Sequence, residues 1–225
     1  MKELIVNSYP KSSVTEAIKT IKTNLRFSSI SKKIQTIIIT SSISSEGKRF
    51  ISANLAVDYA NSNAKVLLID CDLRKGRQQY LFNIITSSRM GFSNLLIDDN
   101  WEKNLSDYIH SSEIKNLDIL TTGTIPPNPS ILLESEKIEK VIDELRKQYD
   151  VIIFDTPPVV GLTDTLILSR LADAVLIVVR ARKTTSELLE NTKTALENVN
   201  ANIAGVVLNR VEKYDNKCYD TYYID

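Results

Sequence analysis

Cysteine is scarce in this chain: two residues in 225, Cys71 and Cys218. That number builds no disulfide framework and suits a reducing compartment. Long apolar runs are missing too. Nothing approaches the roughly 20 apolar residues of a membrane span, and the opening MKELIVNSYPKSS holds no apolar stretch of signal-peptide length. No sign of charge dominates, since 28 Lys and Arg are matched by 28 Asp and Glu. Bulk attraction to nucleic acid or anionic lipid has no support in that balance. No internal repeat is visible. These absences predict a cytoplasmic protein with no nucleic-acid partner and no direct membrane span, for which any membrane association would need a partner.

What is present is an ordinary globular composition, 43% hydrophobic and 25% charged, long enough for one α/β domain with a sizeable core. Short apolar runs alternate with longer amphipathic ones, the pattern of βαβ units and a mostly parallel sheet. Strands are predicted at 34–40, 64–70, 117–123, 150–156, 173–179 and 203–209. They are rich in Val, Ile and Leu with little alternation, which suits strands covered on both faces. Helices are predicted at 13–29, 48–62, 128–148, 163–172 and 185–199, with Asn128 or Ser130 and Thr185 or Ser186 as N-caps. The segment 76–116 is less regular, and the pattern stops at Tyr214.

The chemistry-bearing stretch is TSSISSEGKRFISANLAV, residues 40–57. Gly47 and Lys48 stand between an apolar strand and an apolar helix, as in the phosphate loop G-x-x-x-x-G-K-[ST]. The first glycine of that pattern is Ser42 here, and the hydroxyl residue after the lysine is Arg49. Two other strands end in carboxylates: Asp70 and Asp72 in LLIDCDLR, and Asp155 in VIIFDTPP. Ligands of open parallel sheets bind at such strand ends. Backbone N–H groups at a helix N-terminus cradle phosphate, a lysine neutralises it, one or two carboxylates hold Mg²⁺, and a further one accepts a proton. An Asp at a strand end also caps the turn that follows it. The expected fold is a P-loop NTPase-like three-layer α/β/α arrangement with a mostly parallel central sheet.

At these residues the chain resembles the bacterial tyrosine kinases of capsular and exopolysaccharide assembly, especially the stand-alone cytoplasmic type of Gram-positive bacteria. The resemblance covers nearly the whole chain: TSSISSEGKRF for the phosphate loop, VLLIDCDLRKGRQQYLF and YDVIIFDTPPV for the acidic motifs, then LLTTGTIPPNPSILLES and GVVLNRV. It implies a kinase domain over 1–213 and a flexible tyrosine-rich tail over 214–225. It implies ATP and Mg²⁺, with Lys48 on the β- and γ-phosphates and Asp72 and Asp155 on the metal. Asp70 would accept the tyrosine proton, and Arg74 would hold the loop or the phosphates. Ser44, Ser45, Glu46, Gly47, Arg49 and Phe50 would complete the nucleotide loop, with Asn209 and Arg210 at the adenine. Tyr214, Tyr219, Tyr222 and Tyr223 would be the phosphoacceptors, each gaining about −1.5 to −2 charge on modification. Glu16, Lys19 and Lys22 match a segment that packs subunits into a homo-oligomeric ring; both family arginines are lysines here, without the planar fork. A membrane adaptor of the polysaccharide co-polymerase type and a tyrosine phosphatase are the implied partners.

Four loop residues depart from the family pattern. Ser44 and Ser45 replace Pro and Gly, and Arg49 and Phe50 replace a hydroxyl pair. If position 45 needs left-handed backbone, serine there costs ~1–2 kcal/mol. Arg49 removes the hydroxyl that ligates Mg²⁺ and puts a cation near its place. Two alternatives therefore stand beside the kinase: a weak or inactive assembly subunit of the same machinery, and a partition- or septum-positioning ATPase. The latter type carries an early loop lysine that residues 40–46 lack.

Overall fold

The computed structural model describes residues 4–28, 33–84 and 90–212. The four tail tyrosines lie outside the described residues. The chain runs α1 Ile5–Ser8, α2 Ser13–Ser28, β1 Thr36–Ser41, α3 Lys48–Asn61, β2 Val66–Asp70 and α4 Gln78–Leu81. It continues through α5 Phe92–Ile97, α6 Trp101–Tyr108, β3 Ile109–Ser111, β4 Leu117–Leu120, α7 Pro129–Leu133 and α8 Lys137–Gln148. The last elements are β5 Val151–Asp155, α9 Asp164–Ser169, β6 Ala174–Arg180, α10 Ser186–Glu197 and β7 Ile203–Asn209.

The seven strands lie in the order β3-β4-β2-β5-β1-β6-β7. Every pairing is parallel except β3 with β4. β1, β2 and β5 are buried along their whole length, so the absence of alternation in their sequences is the mark of two covered faces. The pleat sends alternate residues to opposite sides. Ile37, Ile39, Leu68 and Ile153 pack with α2 and α3, while Ile38, Leu67, Ile152 and Phe154 pack with α5, α6, α8 and α9. This is the expected three-layer sandwich. No helix among the described residues is long and apolar enough to cross a membrane.

Three details differ from expectation. The helix predicted at 128–148 is two helices, α7 and α8, because Ser135 turns its hydroxyl onto the Leu132 carbonyl (2.9 Å) and its own carbonyl receives the Ile138 amide (3.1 Å). Serine competes for the backbone in this way and ends helices. The strand predicted at 117–123 stops at Leu120. Beyond it the carbonyls of Thr121 and Thr122 accept from the amides of Phe92 (2.7 Å) and Ser93 (3.0 Å) at the start of α5. The irregular stretch 76–116 holds three short helices and the antiparallel edge strand β3. Thr185 caps α10 as expected, its hydroxyl accepting from the Leu188 amide at 3.2 Å, whereas Asn128 holds the cap position of α7 without a side-chain bond.

Candidate functional site: a cationic cavity at three strand ends

The strand order places β5 between β2 and β1, with Asp70 level with Asp155 and Ile39 level with Asp155 across the two pairings. The loop after β1 and the carboxylates ending β2 and β5 therefore meet at the carboxyl ends of the central strands. A cavity of about 510 Å³ opens there, lined by Ser44, Ser45, Gly47, Lys48 and Arg49 of the loop, by Asp72, Arg74, Lys75 and Arg77, by Asp155, and by Arg210 after β7.

The loop is held from behind. Glu46 is fully buried; one oxygen accepts the Ile43 amide at 2.8 Å and the other meets the Thr184 hydroxyl. Its carbonyl accepts from Asn209 Nδ2 at 2.9 Å. Left-handed residues flank it, Ser45 with φ 66° and Gly47 with φ 103°. A Cβ at position 47 would come within 1.9 Å of Asn209 Nδ2, so only glycine serves there. Ser45 does occupy the left-handed backbone that its glycine counterpart would favour. Phe50 is half-buried and packs into the layer of α2 and α3.

Lys48 opens α3, and its ammonium makes no hydrogen bond among the described residues. Burial pulls its ammonium below the usual lysine range, while Asp155 and Asp72 oppose that shift. Asp72 uses Oδ1 to accept the amides of Arg74 (3.3 Å) and Lys75 (2.9 Å), which fixes the turn after β2. Arg74 holds that turn to the rest of the fold by a fork onto the buried Asp164, at 3.0 and 3.1 Å. Its pKa is raised by this hydrogen bonding.

Asp70 departs from expectation. It is fully buried, does not line the cavity, and accepts amides from Gln78 at 2.9 Å and Asp72 at 3.2 Å. This is the turn-capping use of a strand-end Asp. Burial raises its pKa against those backbone bonds. Asp155 is pushed up to about 7, first by burial and then by the neighbouring charge of Asp70.

The expected metal residues Asp72 and Asp155 both line the cavity, with a cation beside one of them. The fold implies Mg²⁺ beside a loop hydroxyl and Asp155, but Arg49 stands at the hydroxyl position. Its Nε lies 4.0 Å from Asp155 Oδ2, its Nη2 donates to the Lys75 carbonyl at 3.1 Å, and Gln78 Nε2 donates to Asp155 Oδ2 at 2.9 Å. Among the described residues, no cluster of three or more His, Cys, Asp or Glu is arranged to hold a metal. The Arg49 guanidinium, which cannot ligate a cation, stands in place of the loop hydroxyl and puts positive charge beside Asp155.

Asn209 and Arg210 do reach the site, Asn209 as the loop's latch and Arg210 on the cavity wall. The helix residues divide. Glu16 and Lys19 pair with each other at the surface at 2.7 Å, whereas Lys22 turns inward to Asp58 (2.5 Å) and the Ser62 hydroxyl (2.7 Å) on the α3 side. Motif reading singles out neither Gln78, although it lies inside the LLIDCDLRKGRQQYLF stretch, nor Thr184, which lies outside every motif. It passes over Asp164, which follows the YDVIIFDTPPV stretch.

Residues 34–205 match the AAA domain family. CapB of Staphylococcus aureus is 37% identical over 220 residues, 98% of this chain and 94% of CapB. Tyrosine-protein kinase YwqD of Bacillus subtilis is 36% identical over 208 residues, 92% of this chain and 86% of YwqD. Among solved structures, the crystal structure of the chimerical protein CapA2B2 matches with a TM-score of 0.88 at 39% identity, covering 95% of this chain and 92% of that one.

Proposed function

The chain belongs to the bacterial tyrosine-protein kinases, and from that membership we propose that it transfers the γ-phosphoryl group of ATP to tyrosines of its own tail and thereby regulates capsule or exopolysaccharide export. The observation that carries the proposal is the meeting of Lys48, Asp72 and Asp155 on one cavity, at the mouth of a loop that opens a helix. Phosphoryl transfer is chiefly positioning plus charge stabilisation, and this cavity is built for both. Amides at the start of α3 and the Lys48 ammonium take the β- and γ-phosphates. The tyrosine oxygen bonds to the γ-phosphorus as the bond to the β–γ bridging oxygen breaks. The phenolic proton passes to Asp72, which lies on the cavity where Asp70 does not. Tyr214, Tyr219, Tyr222 and Tyr223 are the proposed acceptors, and Arg210 lies on the adenine side. A membrane adaptor supplies activation and the peripheral location, ring assembly brings the tail of one subunit to the cavity of the next, and a tyrosine phosphatase resets the cycle.

The test is phosphotyrosine formation by the full chain with ATP, Mg²⁺ and the cytoplasmic fragment of its adaptor. Signal is expected in the wild type and lost in Lys48→Met and in the variant with all four tail tyrosines changed to Phe. Equal signal in wild type and Lys48→Met overturns the proposal. Arg49 favours a second reading, an assembly subunit that binds but does not transfer. In that case the wild type is silent and the double change Arg49→Ser, Phe50→Thr creates activity.

A further inference from the structure

The guanidinium of Arg49 stands where the loop would otherwise present a hydroxyl to a divalent cation, and we infer that this chain carries its own cation: nucleotide triphosphate binds to Lys48 and Arg49 without a metal. This rests on the nucleotide-binding part of the reading above and not on phosphoryl transfer.

Three observations support it. Arg49 is anchored, not loose: Nη2 is tied to the Lys75 carbonyl at 3.1 Å and Nε faces Asp155 Oδ2 at 4.0 Å. It is also unsatisfied. Arg49 Nε is buried without a hydrogen-bond partner, and such a donor is tolerated where a ligand accepts from it. A guanidinium carries five donors in a fixed fork suited to phosphate oxygens. Last, the cavity is already cationic. Arg74 is paired with Asp164, which leaves Lys48, Arg49, Lys75, Arg77 and Arg210 against only Asp72 and Asp155 on its walls. That excess matches a triphosphate that brings no metal, and it would repel a free divalent ion.

The experiment is calorimetric titration of the full chain with ATP, once with excess Mg²⁺ and once with EDTA, for wild type, Arg49→Ser and Arg49→Gln, with thermal melts to show that each variant is folded. Wild-type affinity is expected to change by less than about threefold between the two conditions. Both variants are expected to lose about 10- to 100-fold in EDTA, the effect of one charge-assisted hydrogen bond, and Arg49→Ser should recover with Mg²⁺. Wild-type binding that needs Mg²⁺, or folded variants that bind like wild type in EDTA, overturns the inference. Metal-independent binding without any phosphotyrosine leaves it standing and removes the transfer step; phosphotyrosine with Mg²⁺-dependent binding does the reverse.

Discussion

At Asp155, burial and a neighbouring carboxylate act in the same direction. Its folded-state pKa of about 7 lies above the ~3.9 of an unfolded Asp. The folded chain therefore binds a proton that the unfolded chain releases in this interval. The stability this contributes is fully present below about pH 4 and is lost as pH rises through about 7. Asp155→Asn should raise the melting temperature of the ligand-free protein at pH 8 and much less at pH 4, on a scale of ~2–4 °C per kcal/mol for a chain of this size. Equal gains at both pH values would contradict the assignment. Ser45 gives a second residue-scale prediction. Left-handed strain of ~1–2 kcal/mol, less the ~0.5–1 kcal/mol entropic cost of glycine, leaves Ser45→Gly more stable by about 0.5–1 kcal/mol. Denaturant unfolding measures it, and a loss of stability sinks it. The need for that backbone geometry was legible as a condition in the sequence; whether position 45 met it required the dihedral.

At the level of elements, α2 is fastened to α3 by one lysine and decorated by another. Lys22 reaches the buried Asp58 at 2.5 Å, with side-chain exposures of 22% and 6%, while Lys19 meets Glu16 in the open. Removing one partner of a buried pair costs ~3–5 kcal/mol, and partial exposure lowers that here. Lys22→Ala should destabilise by about 1–3 kcal/mol, whereas Lys19→Ala stays within about 0.5 kcal/mol. Chemical denaturation of the two variants side by side decides it, and equal effects would refute the distinction. Sequence reading places both lysines on one interaction stripe, because helical spacing says which residues share a face and not what stands opposite. The long strands and α3 were legible because unbroken Val and Ile runs and the Gly-Lys boundary are local signals. The break between α7 and α8 and the edge strand β3 were not, since each depends on one competing hydroxyl or on three residues finding a partner strand.

For the whole molecule, the sheet order decides what the motifs mean. Three acidic or glycine-containing stretches up to about a hundred residues apart in sequence become a site because β5 lies between β1 and β2. The motif pattern points to that convergence, yet it does not reveal which carboxylate faces outward: Asp70 and Asp72 are two residues apart, and Asp72 lines the cavity while Asp70 is buried away from it. If the cavity is the nucleotide site, saturating ATP stabilises the entire fold by linkage, ~2.7 kcal/mol at a hundredfold excess over Kd. Wild-type melting should then rise by several degrees with ATP, and Lys48→Met should show little or no rise. A shift that survives Lys48→Met would place the nucleotide elsewhere.

The latch between Asn209 and the Glu46 carbonyl has a mechanical meaning. Asn209 ends β7, and its amide is tied to the carbonyl of the loop's buried glutamate. The end of the last strand and the back of the phosphate loop are thus parts of one joint. A displacement of that strand end is carried to the loop through a single hydrogen bond, without passing through the cavity wall.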